Sequence, residues 1–206
     1  MSLPAKRLRL TPEEYLRIER EAHYKSEYYE GEMFSMAGGS ARHSLIAMNI
    51  AGFLRSALKG KRCTPYNSDL RIGIPGEGLY TYPDVSVFCE PLEFVADSDD
   101  TATNPAVIVE VLSKSTEAYD RGRKFEHYRR MPSLREYVLV SQDAATIERF
   151  TREGDGRWVL TAASGLDASI TIGVLEVELP LAEVYDRVDL APREAASVDA
   201  STPPPR

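Results

Sequence analysis

Apolar residues recur along the chain in three rhythms, each predicting a different kind of element. After Ser40, positions Ile46, Ile50, Phe53, Leu54, Ala57 and Leu58 fall three or four apart, the spacing of an amphipathic helix closed by Lys59-Gly60. Leu70, Ile72 and Ile74 alternate with polar neighbours, as a half-buried strand does. PAVIVEVLS, in contrast, is nearly unbroken in its apolar character, which suits a central strand covered on both faces.

Local signals fill in the rest. Thr11, Pro12 and Glu14 form a capping box with proline at the first helical position, so a helix starts in TPEEYLRIERE. KSEYYEGEMFSMAGG places Glu30-Gly31 between apolar runs, as in a hairpin. PGEG at 75–78 turns the chain toward the strand YPDVSVFCE, and TEAYDRGRKFEHYRRM reads as a helix stopped by Pro132. REYVLVS, TIERFTR and RWVLTAA follow as strands, with GDG between the last two; SITIG and VLEVEL are expected to extend the same sheet, and LAEVYDRV is a short closing helix. This order implies an α/β fold, a mixed sheet with helices packed against it. The expected organisation is an N-terminal arm over 1–10, one domain over 11–188, and a tail over 189–206. From Ala191 onward large apolar residues almost vanish, and disorder is expected there.

Composition narrows the function. At 206 residues, 43% hydrophobic and 28% charged, the chain suits one globular core, and its formal charge of −7 argues against a polycation that coats nucleic acid. Cys63 and Cys89 lie in no CxxC pattern, so neither a disulfide framework nor structural zinc is expected, and a reducing cytoplasm is the expected location. No segment reads as a signal peptide or a membrane span.

Two carboxylates stand out. Glu110 sits inside Val107–Leu112, where an ionised side chain needs a partner or a metal; its plainer reading is an ion pair with an arginine of the following helix. Asp84 directly follows Pro83 at the entrance to a Val- and Phe-rich strand, where the plainer reading is a turn or strand start. If the two strands are neighbours, the carboxylates converge near one sheet edge. With a backbone carbonyl they offer hard oxygen ligands for Mg²⁺ or Mn²⁺, able to stabilise charge on a phosphodiester. A helper lysine two residues after Glu110 would share its strand face, but Leu112 stands there. Lys124 is the substitute, on one helix face with Asp120 and Tyr128; the competing reading is a solvated Asp120–Lys124 pair, and Lys114 is the reserve. Arginines 121, 123, 129 and 130 offer a local basic surface. His43, near a helix start, is read as helix-end packing.

TPEEYLRIE, KSEYYEGEMFSMAGGSARH, SDLRIGI, YPDVSVFCE, NPAVIVEVLSKSTEAYDRGRKFEHYR and PSLREYVLVSQD, in this order, resemble the Uma-type family of proposed endonucleases within the PD-(D/E)xK nuclease superfamily. The resemblance spans about residues 11 to 188 and implies a restriction-endonuclease-like fold and metal-dependent phosphodiester hydrolysis. It carries the superfamily's Asp onto Asp84 and its Glu onto Glu110. Its strand lysine is missing here, and the resemblance places that function on the helix, at Lys124. Glu27 matches an N-terminal acidic position, and is either a support behind the metal ligands, a further metal contact, or an exposed hairpin charge. The expected function is therefore a metal-dependent endonuclease with DNA as substrate and a homodimer left open. A non-catalytic nucleic-acid- or protein-binding module of the same fold is the alternative. A glycosidase using the two carboxylates as acid and base is disfavoured by the single Trp, which offers little stacking surface for sugars.

Overall fold

The computed structural model describes residues 9–96 and 98–190. The predicted tail after Ala191 and residues 1–8 of the predicted arm lie outside the described residues. Helix α1 (Pro12–Glu21) begins at the expected capping box, with Thr11 and Glu14 each bonding the other's backbone N–H. Strands β1 (Ser26–Tyr29) and β2 (Glu32–Ser35) form the hairpin. Its two turn residues, Glu30 and Gly31, both have positive φ, the backbone twist that a two-residue hairpin favours. Helix α2 (Ala41–Ala57) is capped by Ser40 and buries Ile46, Ile50 and Leu54.

The chain then departs from the simple reading. Thr64–Asn67 is an additional strand, β3, hidden in the sequence because TPYN is written in turn residues. A proline is tolerated there because β3 is an edge strand. Beyond β4 (Arg71–Ile74), the Pro75–Glu77 turn does not lead straight into YPDVSVFCE. It returns as β5 (Leu79–Thr81), which pairs with β4 and β1, and the chain then crosses to a second sheet as β6 (Val85–Phe88). A two-stranded parallel contact adds β7 (Thr101–Ala102).

Two sheets result. One runs β2-β1-β5-β4-β7. The other runs β11-β10-β9-β8-β6-β3, built with β8 (Val107–Val111), β9 (Glu136–Val140), β10 (Thr146–Arg152) and β11 (Trp158–Ser164). Strand β8 is central, parallel to β9 and antiparallel to β6, and wholly buried, as its apolar run requires. Its odd-numbered valines pack with Ile46, Ile50 and Leu54 of α2 on one face. On the other, Ile108 and Leu112 join Tyr128, Tyr137 and residues of the first sheet, including Ile72 and Leu79. Strands β12 (Ser169–Ile172) and β13 (Val177–Pro180) do not extend the large sheet as expected. Among the described residues they pair only with each other and bury Ile170, Ile172, Val177 and Leu179 in the α2-side core, and α5 (Leu181–Val184) is the last element. Alternation settles which face is buried but leaves the partner strand open.

Cys63 and Cys89 are disulfide-bonded, against expectation. They stand one step beyond the Thr64–Phe88 pair of the β3–β6 ladder, so strand register brings together two cysteines separated by 26 positions in sequence. Among the described residues no helix is long and apolar enough to cross a membrane.

Candidate active site

Strand register assembles the site. Val85 pairs with Val109, so one step further Asp84 stands opposite Glu110 at the end of the β6–β8 ladder. The Asp84 Oδ2 atom accepts the Val111 backbone N–H at 2.7 Å, a ladder position a carboxylate fills where strand β6 has not yet begun. This accounts for a poor strand former at that point. The same oxygen lies 3.3 Å from His43 Nε2, delivered by the first turn of α2. His43 is therefore not mere helix-end packing. Its pKa is raised, chiefly by the hydrogen bond to Asp84, with burial opposing. Gly39 makes room for it, since a Cβ there would meet His43 Nδ1 at 2.8 Å.

Glu110 is 5% exposed and points into the crevice between the two sheets. Its partner is not an arginine. Lys124 Nζ lies 2.9 Å from Glu110 Oε1, 3.0 Å from Glu27 Oε1 and 3.6 Å from Oδ1 of the buried Asp120. Neither a solvated Asp120–Lys124 face nor an exposed hairpin charge at Glu27 survives this geometry. The Tyr128 hydroxyl donates to Glu110 Oε1 at 3.1 Å, and Thr81 donates to Glu27 Oε1. Lys114 is exposed, beyond the end of β8.

The predicted helix is interrupted where Lys124 sits. Residues Glu117–Tyr119 (α3) and Phe125–Tyr128 (α4) are α-helical, but Asp120–Lys124 between them is π-helical. The wider turn keeps Asp120, Lys124 and Tyr128 all buried on the crevice side, and such turns recur at functional sites. Two of the four arginines expected to form a basic surface on this segment are spent on acids. Arg121 pairs with Glu117 and Glu148, and Arg130 with Glu77 and Glu126.

Four carboxylates, Glu27, Asp84, Glu110 and Asp120, thus act on one another around a single ammonium. Burial pushes the Glu110 pKa well up, Lys124 opposes this, and Asp120, Asp84 and Glu27 reinforce it. Asp120 is also raised by burial, against the pull of Lys124. Burial alone would lower the Lys124 pKa, but Glu110, Tyr128, Glu27 and Asp120 hold it well above its ordinary value, so it stays charged. Among the described residues no three His, Cys, Asp or Glu side chains gather closely enough to hold a metal by themselves. Glu27, Asp84 and Glu110 are each held through one oxygen, Oε1, Oδ2 and Oε1 respectively, which leaves the other oxygen of each as a donor. His43 and Thr81 are the members that spacing did not place, whereas Tyr128 was placed by its four-residue step from Lys124, without a role.

Comparison with known proteins bears on this geometry. The model of the family Uma2, described as "Putative restriction endonuclease", matches residues 12–182. The chain belongs to the Uma2 family. Two relatives from Synechocystis sp. are similar to it. "Uncharacterized protein slr1290" is 43% identical over 152 residues, covering 74% of this chain and 79% of that protein. "Uncharacterized protein sll1609" is 36% identical over 168 residues, covering 82% and 95%. Among solved structures, "a putative nuclease belonging to DUF820" from Anabaena variabilis superposes with a TM-score of 0.70 at 18% identity, covering 85% of this chain and 97% of that one. That likeness establishes the restriction-endonuclease-like mixed α/β fold for this Uma2 chain.

Proposed function

We propose that this Uma2 protein is a divalent-metal-dependent endonuclease that hydrolyses phosphodiester bonds of DNA, with Asp84 and Glu110 as ligands for Mg²⁺ or Mn²⁺. One observation carries the reading: among the described residues Glu27, Glu110 and Asp120 gather within 3.6 Å of one buried ammonium, Lys124, with Asp84 opposite Glu110 across the strand ladder, more carboxylates than one lysine can pair when they ionise. A hard cation relieves that surplus. The donor set fits, being carboxylate oxygens in a crevice between strand ends, two of them abreast on neighbouring strands. An ion there would neutralise phosphate charge and lower the pKa of an attacking water.

The chain's own residues do the remaining work. His43 and the Val111 N–H fix Asp84 through Oδ2, so its carboxylate plane is set before substrate arrives. Lys124 holds a compact positive charge at the rim of Glu27 and Glu110, placed to stabilise charge developing on phosphate. Tyr128 and Thr81 restrain the glutamates that restrain Lys124. Supercoiled plasmid incubated with Mg²⁺ or Mn²⁺ tests the proposal. The parent nicks or linearises it, chelator abolishes this, and Asp84→Ala is inactive. Persistent cleavage by Asp84→Ala, or none by the parent with either ion, rejects it.

A further inference from the structure

We propose that the DNA is single-stranded where it crosses this site, with one nucleobase stacked on Phe34 and a neighbouring phosphate held in the cavity walled by Arg42 and Lys114. The inference rests on the nuclease reading and specifies its substrate. Its first support is a row of side chains across the hairpin sheet. Ile72 pairs with Thr81, Tyr28 with Tyr80 and Glu27 with Phe34, so Ile72, Thr81, Glu27 and Phe34 stand abreast on one face. Along that row burial falls from 0% exposure at Ile72 and Thr81 through half-buried Glu27 to 50% at Phe34. Directly opposed side chains sit roughly 5 Å apart at Cβ, so the Phe34 ring adjoins the carboxylate that touches Lys124. Among the described residues it stacks on no other ring, and it occupies an edge strand open to solvent. An exposed aromatic beside a phosphate-processing centre offers a π-face to a base, and only an unpaired base has a free face to offer in return.

The second support lies on the other side of the site. A cavity of about 640 Å³ is lined by Ser40, Arg42, Lys114, Ser115 and Gln142, with Asp143 and Leu190. Two of its walls continue from elements that supply the candidate centre, and on a third Asp143 lies 3.9 Å from Arg42, an ion pair that a phosphate would have to share. Arg42 directly precedes His43 on α2, and Lys114 follows Glu110 by four residues. Lys114 is exposed and makes no ion pair among the described residues. Residues 36–40, all exposed, run from the Phe34 edge to the Ser40 wall. A single strand can therefore be followed from an aromatic platform, past the carboxylates, to a basic cavity. A rigid duplex gains less from the 117–130 segment, where Arg121 and Arg130 already pair with Glu117, Glu148, Glu77 and Glu126.

The test uses the full chain and one oligodeoxynucleotide carrying 2-aminopurine, single-stranded or annealed. With Mg²⁺ or Mn²⁺ the parent cuts the single strand at least about tenfold faster than the duplex. Phe34→Ala loses about tenfold in kcat/KM on the single strand, mainly through KM, while Phe34→Trp keeps it. Bound to the non-cutting Glu110→Gln protein, 2-aminopurine is quenched, and adding Phe34→Ala removes the quenching. Arg42→Ala and Lys114→Ala each flatten the salt dependence of single-strand binding by about one unit of slope. Equal cutting of single strand and duplex, with Phe34→Ala indifferent, overturns the inference. If the parent cuts nothing but Phe34-dependent quenching persists, the stacking site stands and the nuclease reading falls.

Discussion

Lys124→Met deletes one buried charge while keeping a stem of similar volume. The ammonium lies within 3.0 Å of both Glu27 and Glu110 and 3.6 Å of Asp120, all in a crevice nearly closed to water. Breaking a buried ion pair costs roughly 3–5 kcal/mol. At the lower figure a domain of this size loses about 6–12 °C in Tm near pH 8. The loss should shrink in acid. The Glu110 pKa is already raised above the roughly 4.3 of an unfolded chain, and removing Lys124 raises it further. A group with a raised folded pKa contributes stability fully below the unfolded value, and loses it as pH climbs through the folded one. Lys124 itself is raised above its ordinary range, so in the parent it stays charged, and its contribution stays intact, from pH 5 to 8. Thermal unfolding at half-unit steps across that range should show parent and variant close at pH 5 and diverging toward pH 8, with added Mg²⁺ narrowing the gap. Plasmid cleavage should fall ~10²-fold or more, because the charge matters most as charge develops on phosphate. Parallel Tm profiles, or full cleavage by the variant, would refute the reasoning.

Calorimetry should show Mg²⁺ or Mn²⁺ binding that collapses in Asp84→Asn and in Glu110→Gln. Because the raised Glu110 must ionise to bind a cation, titrations in buffers of different ionisation enthalpy should reveal proton release that grows as the pH is lowered; identical heats in all buffers count against this. Gly39→Ala forces the His43 ring to move by its 2.8 Å clash and should cut kcat about tenfold with an unchanged circular dichroism spectrum; parental kcat would remove His43 as a positioning residue. Reducing the Cys63–Cys89 bridge, which closes a 26-residue separation, should lower stability by about 3 kcal/mol, read as a drop in denaturation midpoint under dithiothreitol.

Much of this was written locally. The capping box at Thr11, the Glu30-Gly31 hairpin, the α2 stripe and the β8 run each carry their own rhythm, and each folds accordingly. What periodicity could not give was partnership. β3 is spelled in turn residues, β5 is only three residues long, and β12–β13 have the same alternation whether they join the large sheet or each other. The juxtaposition of Asp84 and Glu110 followed once their strands were neighbours, but Glu27 comes from the other sheet and His43 from a helix on the opposite face. The two cysteines meet only through ladder register, which no spacing rule encodes. Lys124 was legible as a helix-face residue, whereas its burial depended on a π turn with no sequence signature.

That π turn at Asp120–Lys124 gives the lysine a different kind of address from a strand position. Strand positions exchange by substitution, one residue for another at a fixed place. A π turn is an α-helix that has taken in a residue, so its side-chain directions shift by insertion or deletion. Removing Gly122, which has open space around it, would return the segment toward ordinary helical winding and swing everything before it by about 100° relative to Lys124 and Tyr128. A basic group can thus enter or leave such a crevice through a single-codon length change, with every chemical building block of the helix still present.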